Sequence, residues 1–581
     1  MTAVLGLSAV FHDAAAALVV DGQVVAAAQE ERWSRQKSDP RLPLEAARFC
    51  VERAGLTLDD VDWLVFHEKP LRKFERLVST SLETFPRGLS QFVQSMGVWL
   101  GQRLWVKSHL AKAFDVDPDK VLFSDHHRSH AASAFFSSPF GEAAILTADG
   151  VGEHTTAGIY RGVTDQAGSR IELVKELRFP HSMGLFYSAL TAYLGFEVND
   201  GECKVMGLAS YGDPARFLPA LERICHIRHD GSLALDMRYF TYHRHPEKSF
   251  SRHLETLLGP ARPAGAPLDP RAGDGVRLAD IAAAVQALCE RWVMNAAREA
   301  CRVTGLSDLC MAGGVALNSV ANGKLLRDGA CARLFVQPAA GDAGGALGAA
   351  QLASHVALGL PRAPPMTSAM LGSEESPEEV RAFLDDCRIR HETFASDAER
   401  DRAVARRLAA GEVGGLFQGR MEWGPRALGA RSIIADPRPA GTSQRVNRKI
   451  KFREQFRPFA PAALPSELER WFERPARDDL LAPFMLGVVP VSDAGKATLG
   501  AVTHVDGTAR VQRVEPADNP RFAGLLEAFR AETGLGVLLN TSLNLKGEPI
   551  CRTAAEAYGV FDRSDLDFLV LERSLVTRSP A

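Results

Sequence analysis

The chain has 581 residues, 46% of them hydrophobic and 24% charged, with a formal net charge of -3. That length exceeds what one hydrophobic core organises, so two or three domains are expected, and the near-neutral balance excludes a general polyanion binder while leaving room for local patches. Nine scattered cysteines form no CxxC pair, which excludes a disulfide frame and points to free thiols in a reducing compartment.

The N-terminus enters a strand at once (Val4 to Leu7), with no basic leader and no long apolar run. No stretch approaches the ~20 apolar residues of a membrane span. A cytoplasmic protein without membrane contact is expected. Ala14 to Val20 and Gln23 to Ala28 are apolar runs joined by Asp21-Gly22, a dipeptide that accepts positive φ at both turn positions and predicts a hairpin. A related pattern returns as a strand over Ala143 to Thr147, the turn Asp149-Gly150-Val151-Gly152, and a strand over Thr155 to Tyr160.

Between these, Asp125-His126-His127-Arg128-Ser129-His130 places His126 and His130 four residues apart. On a helix that spacing puts both imidazoles on one face, as chelation requires. Asp149 and Asp342 are the carboxylates to complete a shell, since each follows a predicted strand at a glycine turn. A mixed His/Asp shell suits Fe(II), Mn(II) or Zn(II) better than Ca(II) or Cu(I). His127 is expected to face away.

Arg216 to Asp274 is rich in Pro, His and Arg and weakly periodic. Asp280 is expected to cap a long helix bearing Val285, Leu288 and Trp292 and ending near Gly305. Strands follow over Leu309 to Ala312 and Leu334 to Gln337. Gly341-Asp342-Ala343-Gly344-Gly345 then opens a small-residue helix over Ala346 to Ala353, a strand–turn–helix order that aims backbone N–H groups at phosphate. Leu360-Pro361-Arg362-Ala363-Pro364-Pro365 reads as a linker. It divides a domain over 1–362, with halves 1–140 and 141–362, from a domain over 366–581. Arg420 to Arg457 holds ten Arg/Lys and three acids, a cationic pocket for a small anion.

Longer motifs carry a resemblance. Phe11-His12-Asp13-Ala14, Glu30-Glu31-Arg32, His126 to His130, Lys204 to Gly212 and Gly313 to Asn318 resemble the O-carbamoyltransferases of the nodulation-protein U and cephamycin carbamoyltransferase family. So do Gly424 to Gly429, Phe456 to Pro461, His504 to Arg510 and Asn540 to Asn544. The resemblance implies an α/β N-terminal duplicated domain like those of actin and sugar kinases. It implies an α+β C-terminal twisted-sheet domain like threonylcarbamoyl-adenylate synthase. It also implies that the C-terminal domain makes carbamoyl-adenylate from carbamoyl phosphate and ATP with Mg2+. The N-terminal domain then transfers the carbamoyl group to a hydroxyl of a small-molecule acceptor.

By the same resemblance His126, His130, Asp149 and Asp342 hold a metal ion, iron(II) by family precedent. His12 is the expected base, because an alcohol needs its proton removed and an imidazole titrates near the working pH. Gly150, Gly152, Gly313 and Gly314 are expected to let backbone approach the nucleotide, with Asn318 on its ribose or base. Arg426, Lys451, Arg457, Arg510, Asn540 and Ser542 match positions for carbamoyl phosphate and the ATP phosphates, whose oxygens suit guanidinium forks. Arg431 and Ser432 are further candidates. Interleaved aromatics (Trp423, Phe452, Phe456) leave an RNA-binding or tRNA-modifying alternative, which the neutral charge and the joining of both domains disfavour. A kinase would not explain the histidine pair. Nucleic acid is not an expected partner, and the acceptor and the oligomeric state are not legible.

Overall fold

A computed structural model describes residues 1–101, 103–245, 247–473 and 479–578. The chain is a mixed α/β protein of two compact units, Met1–Glu30 with Pro40–Pro365 and Glu31–Asp39 with Met366–Ala581. All nine cysteines are free thiols. Among the described residues no helix is long and apolar enough to cross a membrane.

The first unit holds two five-stranded sheets of one topology. Strands β1 (Ala3–Ser8), β2 (Ala15–Val20), β3 (Gln23–Gln29), β4 (Trp63–Phe66) and β5 (Val121–Phe123) lie in the order β3-β2-β1-β4-β5. The first three are antiparallel neighbours, and β4 and β5 extend β1 in parallel. Strands β6 (Glu142–Ala148), β7 (Thr155–Asp165) and β8 (Gly168–Arg178) repeat the meander. The short antiparallel pair β9 (Cys225–Ile227) and β10 (Leu233–Leu235) stands apart. Strands β11 (Asp308–Ala312) and β12 (Arg333–Val336) then extend β6 in parallel, giving the order β12-β11-β6-β7-β8. The hairpin turn between β2 and β3 has positive φ at Asp21 (47°) and Gly22 (83°), as the Asp-Gly pair dictates.

Small residues let the helices of this unit approach closely. The helix Asp342–Leu352 packs on β1, β2 and the helix His126–Ser137. A Cβ at Gly348 would stand 1.7 Å from Ser129 O, and one at Gly6 would stand 1.9 Å from Ala346 O. Both backbones therefore touch where larger side chains would separate them. The C-terminal end of His126–Ser137 is closed by Arg362, whose guanidinium donates to the carbonyls of Phe135, Ser138 and Phe140. Ser138 N also donates to Phe135 O (3.1 Å), and the cation of Arg362 adds a second partner at the helix end, where carbonyl oxygens gather partial negative charge.

The long helix spans Asp274–Thr304 and ends at Gly305, which takes φ 71°. It begins six residues before the expected cap. Asp280 lies inside the helix, where it accepts from Asp213 N (2.8 Å) and pairs with Arg216 (3.1 Å).

The second unit has an eight-stranded sheet in the order β13-β22-β21-β14-β15-β20-β16-β19. Its members are β13 (Glu392–Thr393), β14 (Gly414–Phe417), β15 (Arg431–Ala435), β16 (Ala460–Ala463), β19 (Gln512–Arg513), β20 (Val537–Ser542), β21 (Phe568–Leu571) and β22 (Ser574–Thr577). A separate pair joins β17 (Val489–Pro490) to β18 (Thr508–Ala509). The helices Asp397–Ala409 and Pro520–Thr533 pack on each other, burying Val404, Leu408, Phe522 and Leu526 in the core. In contrast with the contiguous ranges read from the sequence, Glu31–Asp39 groups with this unit. The buried Arg32 donates to Gly424 O (3.1 Å), and Arg35 donates to Pro549 O and Ile550 O (both 2.8 Å) and pairs with Glu556 (3.2 Å).

Candidate functional site

Four side chains from three separate stretches of the first unit meet at one point. His126 and His130 project from consecutive turns of their helix, Asp149 follows β6, and Asp342 opens the next helix after β12. Asp149 Oδ2 lies 3.2 Å from His126 Nε2 and 3.0 Å from His130 Nε2, and the two ring nitrogens are 3.1 Å apart. Asp342 Oδ1 is 3.6 Å from each of them. Bonds of about 2.0–2.2 Å to a central cation place neighbouring donors roughly 3.0–3.5 Å apart, for octahedral and tetrahedral shells alike. The observed spacings fit that shell, and the donor set suits a divalent transition metal.

The charges agree with the geometry. Burial alone would lower His130, but hydrogen bonds and proximity to Asp149 and Asp342 hold it up at about 9. Burial would raise Asp149, and His126 and His130 instead hold it well below the usual carboxylate range. Asp342 is lowered in the same way against burial, chiefly by His12 and further by His126. His127 turns away to Thr147 Oγ1 (2.8 Å), as expected.

His12 stands on the turn after β1. Its Nδ1 is 2.9 Å from Asp13 Oδ2 and its Nε2 is 3.5 Å from Asp342 Oδ2. Burial favours its neutral form, yet the carboxylates of Asp342 and Asp13 raise it to about 9. A cation on Asp149 and Asp342 would oppose that field and return His12 toward the neutral form a base requires.

A buried group not identified from the sequence lies behind His126. Glu68 Oε2 is 3.8 Å from His126 Nδ1 and 2.7 Å from the ammonium of Lys73. Burial would raise Glu68, but Lys73, His67 and His126 hold it at about 2. Glu153 accepts from His126 N (3.0 Å) and Lys69 N (2.8 Å), anchoring the helix start. The available signal is the dipeptide His67-Glu68 directly after β4, which parallels His12-Asp13 shortly after β1.

Two of the four glycines, Gly152 and Gly313, also have a local reason. A Cβ at Gly152 would meet His127 Cδ2 at 2.9 Å, and one at Gly313 would meet Ala148 O at 2.2 Å, so the protein's own packing requires them. Gly150 N and Gly314 N both point at Asp149 Oδ1, at 2.7 and 3.4 Å. Asn318 caps the helix Ser319–Arg327 through Ala321 N (3.1 Å) and exchanges two 3.0 Å hydrogen bonds with Gln286. Its amide is therefore engaged within the fold. Lys204 pairs with Asp200 at 2.8 Å.

In the second unit a polar cluster sits on β20 at the middle of the sheet. Asn540 and Ser542 are two residues apart and share one face of the strand. Asn540 Nδ2 donates to Ala427 O (3.1 Å) and Gln512 Oε1 (2.8 Å), which ties it to the loop carrying Arg426 and the segment following Arg510. That loop is shaped by buried Glu422, whose Oε1 accepts from Leu428 N, Ala430 N and Arg431 N. Lys451 Nζ donates to Ser542 O and Asn544 O (both 2.8 Å) and to Asn544 Oδ1 (2.6 Å). Burial, with Arg453 and Arg457 close by, pushes Lys451 well below its ordinary value. The crowded cations make this a place for an anion. Other members of the basic run have structural work. Arg431 donates to Gln418 O and Gly419 O, Arg438 pairs with Asp436, and Arg445 with Asp567.

The chain matches the family profile described as carbamoyltransferase N-terminus over residues 3–351 and the one described as carbamoyltransferase C-terminus over residues 405–578. It is 43% identical to the uncharacterized protein sll1178 of Synechocystis sp., over 100% of this chain and 97% of that protein. It is 39% identical to Nodulation protein NolNO of Sinorhizobium fredii, over 98% of this chain and 79% of that protein. A 3'-hydroxymethylcephem-O-carbamoyltransferase of Amycolatopsis lactamdurans is 38% identical over 42% of this chain and 43% of its own length.

Proposed function

The chain belongs to the carbamoyltransferase family, a family of transferases, and we propose that it is an ATP-dependent O-carbamoyltransferase acting in two steps. In the second unit, carbamoyl phosphate, water and ATP with Mg2+ give carbamoyl-adenylate, phosphate and pyrophosphate. In the first unit, the oxygen of an acceptor hydroxyl bonds to the carbamoyl carbon, the bond from that carbon to the AMP phosphate oxygen breaks, and AMP leaves. The observation that supports this most directly is the convergence of His126, His130, Asp149 and Asp342 on one point with His12 beside it.

His126, His130, Asp149 and Asp342 would hold a divalent cation, iron(II) by family precedent, which supplies Lewis-acid polarisation of the carbamoyl carbonyl. His12 takes the hydroxyl proton on Nε2 while Asp13 fixes its Nδ1 side. The turn Asp149 to Gly152 and the neighbouring Gly313-Gly314 line the nucleotide side. In the second unit Lys451, with Arg426, Arg457 and Arg510, neutralises phosphate charge, and Asn540 and Ser542 orient the bound groups. The repeated order β3-β2-β1-β4-β5 supports an actin–sugar-kinase fold for the first unit, and the large mixed sheet supports a threonylcarbamoyl-adenylate-synthase-like fold for the second. The acceptor is a small hydroxylated molecule rather than a nucleic acid, and the work is cytoplasmic.

The test is product analysis with the full chain, carbamoyl phosphate, ATP, Mg2+ and iron(II). AMP and pyrophosphate are expected. ADP as the sole nucleotide product would overturn the reading.

A further inference from the structure

A cavity of about 140 Å³ opens in the first unit against the turn that carries Asp149. Val151 of that turn forms one wall, the helix Pro70–Glu83 supplies Arg76 and Leu77, and Phe179 and Tyr242 form another wall. An apolar cavity near 150 Å³ holds about one benzene ring, so this one takes a single six-membered ring. The Phe179 and Tyr242 rings lie 6.2 Å apart at 58°, and Tyr242 is fixed by its hydroxyl on Pro180 O (2.7 Å). Ring faces held in this way suit a flat or chair-shaped ring.

Arg76 makes the cavity selective. Its Nη1 donates to Gly152 O (2.5 Å), and its guanidinium carbon lies 5.3 Å from the Phe179 ring centre. Among the described residues it has no ion-pair partner. Glu68 and Glu153 act on it through space without pairing with it, and each has its own partners, Glu68 with Lys73 (2.7 Å) and Glu153 with Lys69 N and His126 N. A half-buried guanidinium so placed, against an aromatic ring and without an ion pair, suits an anion, and its planar fork matches a carboxylate. His243, also on the lining, keeps its buried Nδ1 without a hydrogen-bond partner among the described residues.

We infer that this cavity is the acceptor subsite, and that it takes a small hydroxylated molecule built on one six-membered ring and carrying a carboxylate that pairs with Arg76. The inference rests on the proposed transfer reaction for its meaning. The contiguity of Val151 with Asp149 directs the bound hydroxyl toward the histidine–aspartate cluster. The helix Pro70–Glu83 and the segment holding Tyr242 and His243 lie outside the motifs that carry the family resemblance, which leaves them free to set this chain's own acceptor choice.

Two probes separate the claim from its alternatives. Para-(hydroxymethyl)benzoate carries one ring, one hydroxyl and one carboxylate, and para-benzenedimethanol replaces the carboxylate with a second hydroxymethyl group. Each is titrated calorimetrically into the full chain loaded with iron(II), without ATP or carbamoyl phosphate, so binding is read apart from transfer. The acid is expected to bind at least about tenfold more tightly than the diol, since one tenfold step is the scale of a single charge-assisted contact. Arg76→Gln should erase that preference, and Leu77→Trp, which fills the cavity and leaves Arg76 in place, should abolish binding of both. Equal binding of acid and diol by the unsubstituted chain, binding of neither, or a preference that survives Arg76→Gln overturns the inference. Metal content is counted in every sample because Arg76 also holds Gly152. If Arg76→Gln loses metal, Leu77→Trp decides, and undiminished binding there overturns the inference. A chain that binds the acid but forms no carbamoyl-adenylate refutes the proposed reaction and keeps the acid site. A chain that carbamoylates the diol without binding the acid does the reverse.

Discussion

His126 Nε2 and His130 Nε2 face each other at 3.1 Å, and both lie within 3.2 Å of the same oxygen of Asp149. Two ring nitrogens with opposed lone pairs repel unless a proton or a cation stands between them. Asp342 closes the other side at 3.6 Å. The purified chain is therefore expected to carry about one divalent metal ion, and His130→Ala or Asp342→Asn to retain less than about a tenth of it, by elemental mass spectrometry. Metal at about 100 times its Kd should stabilise the chain by about 2.7 kcal/mol, read as a rise in Tm. A four-ligand variant series with unchanged metal content would contradict the shell.

His12 touches Asp342 without belonging to the donor set. His12→Ala is expected to keep metal and to form carbamoyl-adenylate, while transfer to an acceptor falls by about 10²–10⁴, the usual contribution of a positioned base. The intermediate and the carbamoylated product are separated chromatographically and quantified. Loss of adenylate formation in the same variant would count against the division of steps.

Lys451 is a buried ammonium held by the backbone and side-chain oxygens of Ser542 and Asn544. Lys451→Met is expected to lower carbamoyl-adenylate formation by about 10²–10³, the scale for losing one charge-stabilising donor. Metal content of the first unit should stay at its unsubstituted value, and supplied carbamoyl-adenylate should still be consumed.

Metal-free protein should be most stable near pH 6.5. His12 and His130 rise to about 9 in the folded state, so their stabilisation is complete below 6.5 and is lost as pH climbs through 9. His67, His127 and His504 are buried neutral and lowered to about 4, 3 and 4. The unfolded chain takes up those protons as pH falls below 6.5 and the folded chain does not, so stability drops on the acid side too. Each proton contributes a slope of about 1.4 kcal/mol per pH unit. Thermal unfolding in chelator should show both limbs. His12→Ala should flatten the alkaline limb, and bound metal, which takes the place of the His130 proton and opposes the carboxylate field that raises His12, should suppress it.

Local spacing made part of this legible. The i,i+4 histidines share a helix face, the strand–glycine turns place Asp149 and Asp342 at strand ends, and Asp21-Gly22 makes its hairpin. Each depends on a few neighbouring residues. Glu68 and Lys73 stayed hidden because only the parallel pairing of β4 with β1 brings them behind His126. Glu422 stayed hidden because its three N–H partners lie on a loop it folds around itself. Asp280 does not cap the long helix because its carboxylate serves Asp213 N and Arg216, partners that its own flanking residues do not reveal. Asn318 carries a motif position yet spends its amide on Gln286, a pairing set by a helix more than thirty residues upstream.

The part of the second unit that follows Pro365, Met366–Ala581, is not the whole of it. Glu31–Asp39 supplies Arg32 to the Gly424 carbonyl, Arg35 to Pro549 and Ile550, and Trp33 beneath the guanidinium of Arg552. Severing the gene at the proline linker would strand those partners, and a C-terminal fragment expressed alone should be soluble and folded only when a peptide covering that early segment is returned to it. Recombination between relatives would have to exchange both pieces together, so the early segment and the distant C-terminal unit are inherited as one block.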